Sequence, residues 1–169
     1  SNPSSVHGFG RSARRIVEGA REEIAILVGS RAADIVFTSG GTESNNLVLS
    51  CFDHIITSAI EHDSVLHAAP GADIVLVYSD GLIDLDHLAD CLKAVPDATR
   101  AKILVSVMMA NNETGVIQPI QSVVALARDA GAAVHSDMVQ MLGKTHLDFA
   151  NSGLDYATIS AHKVGGPAG

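Results

Sequence analysis

The chain has 169 residues, 47% of them apolar, with 19 acidic against 11 basic residues, a net charge of −8 and no Trp. That length and apolar content suffice to bury a core in one domain spanning 1–169, and they exclude a disordered chain. The acidic balance speaks against general nucleic-acid binding, which needs a basic face, and no apolar run reaches the roughly 18–20 residues of a membrane span. We expect a soluble protein with neither nucleic-acid nor membrane partners, in which an anionic ligand would need a local site.

Arg11 to Val28 predicts an amphipathic helix, with Ile16, Val17, Ala20, Ile24 and Leu27 returning at helical spacing. Asp34–Thr38 predicts a strand, followed by Ser39-Gly-Gly-Thr-Glu43 and a helix through Leu47 and Leu49. His54–Ser58 is a second strand, after which Asp63 could cap a short helix. Ile74–Tyr78 reads as a third strand, and Asp84 opens a helix through Leu92. Lys102–Met109 is a strongly apolar strand; Pro119 stands at the first turn of the next helix, which Gly131 closes. Ala132–Ser136 and Tyr156–Ser160 complete the series. This alternation predicts an α/β fold with a mostly parallel sheet and helices on both faces.

Five polar clusters follow five apolar runs: Gly40-Gly-Thr42, Glu61-His62, Asn111-Asn-Glu113, Asp137 with Gln140, and Ser160-Ala-His-Lys163. Ligands of open parallel sheets bind beyond the carboxyl ends of the strands, so five such clusters point to one shared site. Each cluster alone has an ordinary reading as turn or cap. Gly41 and Thr42, at a helix start, could offer free N–H groups and a hydroxyl to an anion, or form a simple glycine turn. No Lys follows them at the spacing of a nucleotide P-loop. Lys163 at a strand end could be desolvated and made a nucleophile toward an aldehyde, or be a solvated surface residue.

Asp137 could hold a pyridine nitrogen protonated, or cap a turn. His62 could stack on a ring and pass protons, or be structural. His62 and His67 are five apart and no cysteine cluster accompanies them, so no metal site is expected. Cys51 and Cys91 lie in apolar stretches outside any CxxC pair and read as buried free thiols. That usage suits a reducing cytoplasm.

Read in order, Asn2-Pro-Ser-Ser-Val-His7, Phe37-Thr-Ser-Gly-Gly-Thr-Glu-Ser-Asn45, Glu61-His62, Asn111-Asn-Glu-Thr-Gly115, His135-Ser-Asp137 with Gln140, and Ser160-Ala-His-Lys-Val-Gly-Gly-Pro167 resemble the class V aminotransferase family. The resemblance is closest to its cysteine desulfurases and their selenocysteine lyase relatives, and it runs from end to end. It implies the large-domain core of a fold type I enzyme that uses pyridoxal 5′-phosphate (PLP).

By that resemblance Lys163 bonds the PLP aldehyde and later shuttles protons at the substrate carbon, and His62 stacks on the ring as acid/base; these two would be catalytic. Asp137 pairs with the pyridine nitrogen and Gln140 reaches the phenolic oxygen. Gly41, Thr42, Ser160 and His162 hold the phosphate, and Asn112 lies near the phenolic oxygen and the substrate carboxylate. The implied reaction moves sulfur from L-cysteine to an enzyme cysteine as a persulfide and releases L-alanine, feeding iron–sulfur cluster or thio-cofactor assembly. A homodimer and a sulfur-acceptor protein are implied partners.

Selenocysteine lyase, another class V activity, or a noncatalytic phosphate-binding module are the alternatives. The abrupt start at Ser1 and the stop six residues past Lys163 lead us to expect a chain truncated at both ends, without the small C-terminal domain and the persulfide-forming cysteine, and inactive alone. Met138, after Asp137, departs from the family's usual smaller residue and is expected to crowd the pocket.

Overall fold

In a computed structural model the described residues are 8–96 and 102–166; the strings at Asn2–His7 and at Pro167 lie outside them. The helices are α1 (Gly8–Val28), α2 (Gly41–Leu49), α3 (Asp63–Leu66), α4 (Leu85–Ala94), α5 (Ile120–Asp129) and α6 (Phe149–Ser152). The strands are β1 (His54–Ser58), β2 (Asp73–Val75), β3 (Ile103–Ser106), β4 (Ala133–Asp137) and β5 (Tyr156–Thr158). The chain divides into two compact units, one running to Phe37 and including His146–Asn151, the other formed by Thr38–Thr145 with Ser152 onward.

In the first unit the predicted helix is present but turned relative to its expected face. Gly10, Ala25 and Val28 are its buried residues, whereas Ile16 and Leu27 are exposed. Periodicity finds a helix, but what packs on it decides which stripe is covered. The predicted strand at Asp34–Thr38 is not formed. Ala32–Asp34 make a 3₁₀ turn, tied by a two-pronged Arg31–Asp34 ion pair at 2.7 and 2.8 Å. Ile35 is extended (φ −86°, ψ 124°) yet belongs to no ladder. Arg21 donates to the Ile35 carbonyl and sets its guanidinium 4.9 Å from the centre of the Phe37 ring, so α1 takes the contacts a partner strand would have offered.

The second unit holds a five-stranded sheet, parallel throughout, in the order β2-β1-β3-β4-β5. Ile55, Leu104 and Ala133 stand side by side in register, and the α2–α3 pair covers that row: Leu49, Val65 and Leu104 form a buried cluster joined by Val48 and Phe52. The alternate row, with Ile56, Val105 and Val134, therefore points to the opposite face, where α4 lies against β1 and β2, and α5 against β4. Helices thus cover both faces, as the alternation of elements predicts.

Local chemistry explains the boundaries. Asp84 caps α4, its carboxylate accepting from the His87 N–H at 3.0 Å. Gly131 ends α5 at φ +73°, with its N–H on the Arg128 carbonyl and that of Ala132 on Ala127, the Schellman pattern. The regular ladder of β3 ends earlier than the predicted Met109. Its backbone pairing nevertheless continues, Val107 donating to His135 O and Met109 to Asp137 O. That extension holds the polar residues after β3 and β4 close together.

Candidate active site

One cleft of about 190 Å³ lies at the carboxyl ends of these strands, within the second unit. Eight of the nine residues expected to form a site line it: Gly41, Thr42, His62, Asn112, Asp137, Gln140, His162 and Lys163. The ninth, Ser160, lies just behind, 8% exposed, its Oγ 2.7 Å from His162 Nδ1. Between β1 and β3 the sheet order reverses direction, the switch point where open α/β sheets bind ligands.

Each side chain is placed by a local device. Gly41 and Thr42 form the first turn of α2, whose N–H groups have no intrahelical acceptors. Glu43 folds back to accept from the Ser39 N–H at 2.5 Å, a bond that lowers its pKa from the ordinary carboxylate value. A Cβ on Gly41 would meet Val139 Cγ2 at 3.4 Å, an ordinary contact, so glycine is not demanded by space there. Asn112 is exposed on a loop shaped by Asn111, whose Oδ1 accepts from the N–H groups of Glu113 and Thr114 and whose Nδ2 donates to the Ile60 carbonyl.

Asp137 ends β4 and is 7% exposed. Its Oδ1 accepts from the Val139 N–H at 3.0 Å and its Oδ2 from Asn45 Nδ2 at 2.9 Å. These two donors fix the carboxylate at the cleft. Two strand positions earlier on the same face is His135, wholly buried between Ser106 Oγ (2.8 Å) and Thr158 Oγ1 (3.0 Å). Burial lowers its pKa to about 4, partly opposed by the negative charge of Asp137, so the ring is neutral.

Glu61 is buried beside His62. Its Oε1 accepts from Ser58 Oγ and the Met108 N–H, at 2.5 and 2.8 Å, while Oε2 is buried without a partner. Burial raises its pKa to about 8 despite these donors, with the Asp137 charge adding in the same direction.

Several expectations need correction. Asp63 does not cap α3; His62 does, its Nδ1 accepting from the Ser64 N–H at 3.1 Å. Lys163 is exposed rather than desolvated, because it sits in a 3₁₀ turn (Ala161–Val164) beyond the end of β5. Met138 does not crowd the cleft: it is 3% exposed and turned into the core, and Val139 lines the cleft instead. Cys51 is exposed and Cys91 half-buried, and neither lines the cleft. Burial raises the Cys91 thiol pKa.

Sequence reasoning missed Asn45, Ser64, Met108 and Val139, which also line it. Asn45 had one available signal: it stands one helical turn after Gly41, on the same face of α2.

The aminotransferase class V family pattern matches residues 1–169. A cysteine desulfurase, IscS, of Dictyoglomus turgidum is 40% identical over 99% of this chain and 45% of its own length. The X-ray structure of a NifS-like protein from Rickettsia africae superposes with a TM-score of 0.93 at 42% identity, covering 99% of this chain and 48% of that one. SspA, solved in complex with cysteine, gives 0.87 at 31% identity over 100% of this chain and 51% of its own. The chain therefore spans about half the length of the relatives it matches. Order, spacing, fold and strand-end chemistry agree over that whole span, and the chain belongs to the class V aminotransferase family.

Proposed function

We propose that this chain is the PLP-binding core of a cysteine desulfurase. The observation carrying this reading is that an amine, Lys163, and a buried, doubly hydrogen-bonded carboxylate, Asp137, line the same small cleft as the N-terminal turn of α2. That donor set suits a phosphorylated pyridine aldehyde. Asp137 would face the ring nitrogen and favour its protonated form. Gly41, Thr42, Ser160 and His162 would hold the phosphate at the positive end of α2. Gln140 and Asn112 would reach the phenolic oxygen, and Asn112 also the substrate carboxylate.

When bound, PLP supplies an electron sink for charge developing on the substrate. Lys163 would bind it through its amine and then move a proton at the substrate carbon. His62 would lie over the ring and exchange protons with the substrate. The whole reaction in this reading takes sulfur from L-cysteine onto an enzyme cysteine as a persulfide and releases L-alanine. Neither Cys51 nor Cys91 lines the cleft, and in this reading neither is that thiol.

Supply of iron–sulfur cluster assembly through an acceptor protein, a homodimeric state and a cytoplasmic setting complete the proposal. Among the described residues no helix is long and apolar enough to cross a membrane.

Titrating PLP into the 169-residue chain tests the reading. A yellow chromophore that stays with the chain after unbound PLP is removed is expected with the unaltered chain and none with Lys163→Ala, while Asp137→Ala should weaken binding by about tenfold or more, given roughly 1.5–3 kcal/mol for a bond to a charged group. Binding that survives unchanged in both variants would favour a plain phosphate-binding module.

A further inference from the structure

Asp137 and His62 are 75 positions apart in sequence, yet a chain of hydrogen bonds, buried at Asn45 and Ser64 and reaching the surface at His62, joins them. Asn45, 1% exposed, donates from Nδ2 to Asp137 Oδ2 at 2.9 Å and to Ser64 Oγ at 2.8 Å. Ser64 Oγ lies 2.9 Å from His62 Nδ1, and the Ser64 N–H donates to the same nitrogen at 3.1 Å.

The protons on this chain can be assigned. An Asn amide carries two N–H donors, and both point at oxygens here. Turning the amide over would set its own oxygen against a carboxylate, so its orientation is fixed by charge. The Ser64 N–H donates to His62 Nδ1, so that nitrogen must accept, and the Ser64 hydroxyl, which accepts from Asn45, turns its single proton toward it. The neutral ring therefore carries its proton on Nε2. The arrangement leaves Asn45 Oδ1 buried without a hydrogen-bond partner. Leaving that oxygen unpaired costs free energy, which the two bonds from Nδ2, one of them to a carboxylate, offset.

We propose that Asn45 and Ser64 are positioning residues that couple the Asp137 carboxylate to the His62 ring, fixing the orientation of the first and the tautomer of the second. This rests on the reading above in so far as Asp137 and His62 are the groups that meet the cofactor. The coupling itself belongs to the chain alone. A change of hydrogen bonding at Asp137 turns the Asn45 amide, the amide changes what Ser64 Oγ accepts, and the Ser64 proton changes its direction toward His62. Polar chains of this kind polarise along their length, and only paired substitutions apportion them.

The test uses the 169-residue chain labelled with ¹⁵N-histidine, without cofactor, and reads the His62 ring nitrogens by long-range proton–nitrogen correlation. We expect His62 with its proton on Nε2 in the unaltered chain. Asp137→Asn should shift its Nδ1 resonance, and in a Ser64→Ala or Asn45→Ala background the same change should produce little or no shift. A proton found on Nδ1 in the unaltered chain would overturn the proposal without any variant. So would an equal Asp137→Asn shift with and without Ser64.

PLP affinity gives a second readout, expected to fall about tenfold in Asn45→Ala as Asp137 loses a charge-assisted bond. If the histidine spectra behave as stated while Lys163 acquires no cofactor, the coupling stands and the functional reading fails.

Discussion

At the scale of single residues, the two buried titratable groups flanking the cleft set opposite pH dependences. Glu61 has a pKa of about 8 in the fold against an ordinary 4.5. Its contribution is complete below pH 4.5 and is lost as pH rises from 4.5 toward 8, because only the unfolded chain ionises over that range. His135 has a pKa of about 4 in the fold against 6.5. Its contribution is complete above pH 6.5 and is lost as pH falls toward 4.

Between pH 4.5 and 6.5 the two slopes oppose each other, and from 6.5 to 8 Glu61 acts alone. Unfolding by urea should accordingly show stability falling from pH 6.5 to 8 by an amount of order 1–3 kcal/mol. Glu61→Gln should flatten that limb and uncover a loss on the acid side. A Glu61→Gln chain with an unchanged slope between pH 6.5 and 8 would refute the assignment. Neither behaviour was legible in the sequence, since Glu61 and His135 look like any strand-end polar residues until their burial is known.

At the scale of elements, the turn bearing Lys163 leans on a glycine. Gly143 has φ +74°, and a Cβ there would come within 2.8 Å of Val164 Cγ1. Gly143→Ala should cost about 1–3 kcal/mol in thermal unfolding from the left-handed backbone and the contact together. It should also weaken PLP binding by displacing the turn next to Lys163. The α2–α3 layer depends on Leu104, fully buried under Leu49 and Val65, so Leu104→Ala should cost about 2–5 kcal/mol.

Strands whose apolar pattern ends in a neighbour's ladder were readable: β1 has the predicted bounds. Asp34–Thr38 carries an equally good pattern and forms none, because pairing is a property of two segments and composition describes one. The same limit concealed Asn45 and Ser64. Asn45 meets Asp137 across 92 positions and Ser64 across 19, and no local spacing reports such meetings.

For the whole molecule, the parallel sheet with helices on both faces and the gathering of strand-end clusters were both legible, because parallel topology itself brings the carboxyl ends of successive strands together. Face and depth were not. They turned Met138 inward, left Lys163 exposed and brought Cys51 to the surface.

The central claim is chemical: one amine among the chain's lysines is set apart by its place in this cleft. Incubation with PLP, reduction by borohydride and mass mapping of the modified residue read that directly. The account predicts a single pyridoxyl group on Lys163, lost in Lys163→Ala without transfer elsewhere. Label spread over Lys93, Lys102, Lys144 and Lys163 alike, or absent from 163, would contradict it.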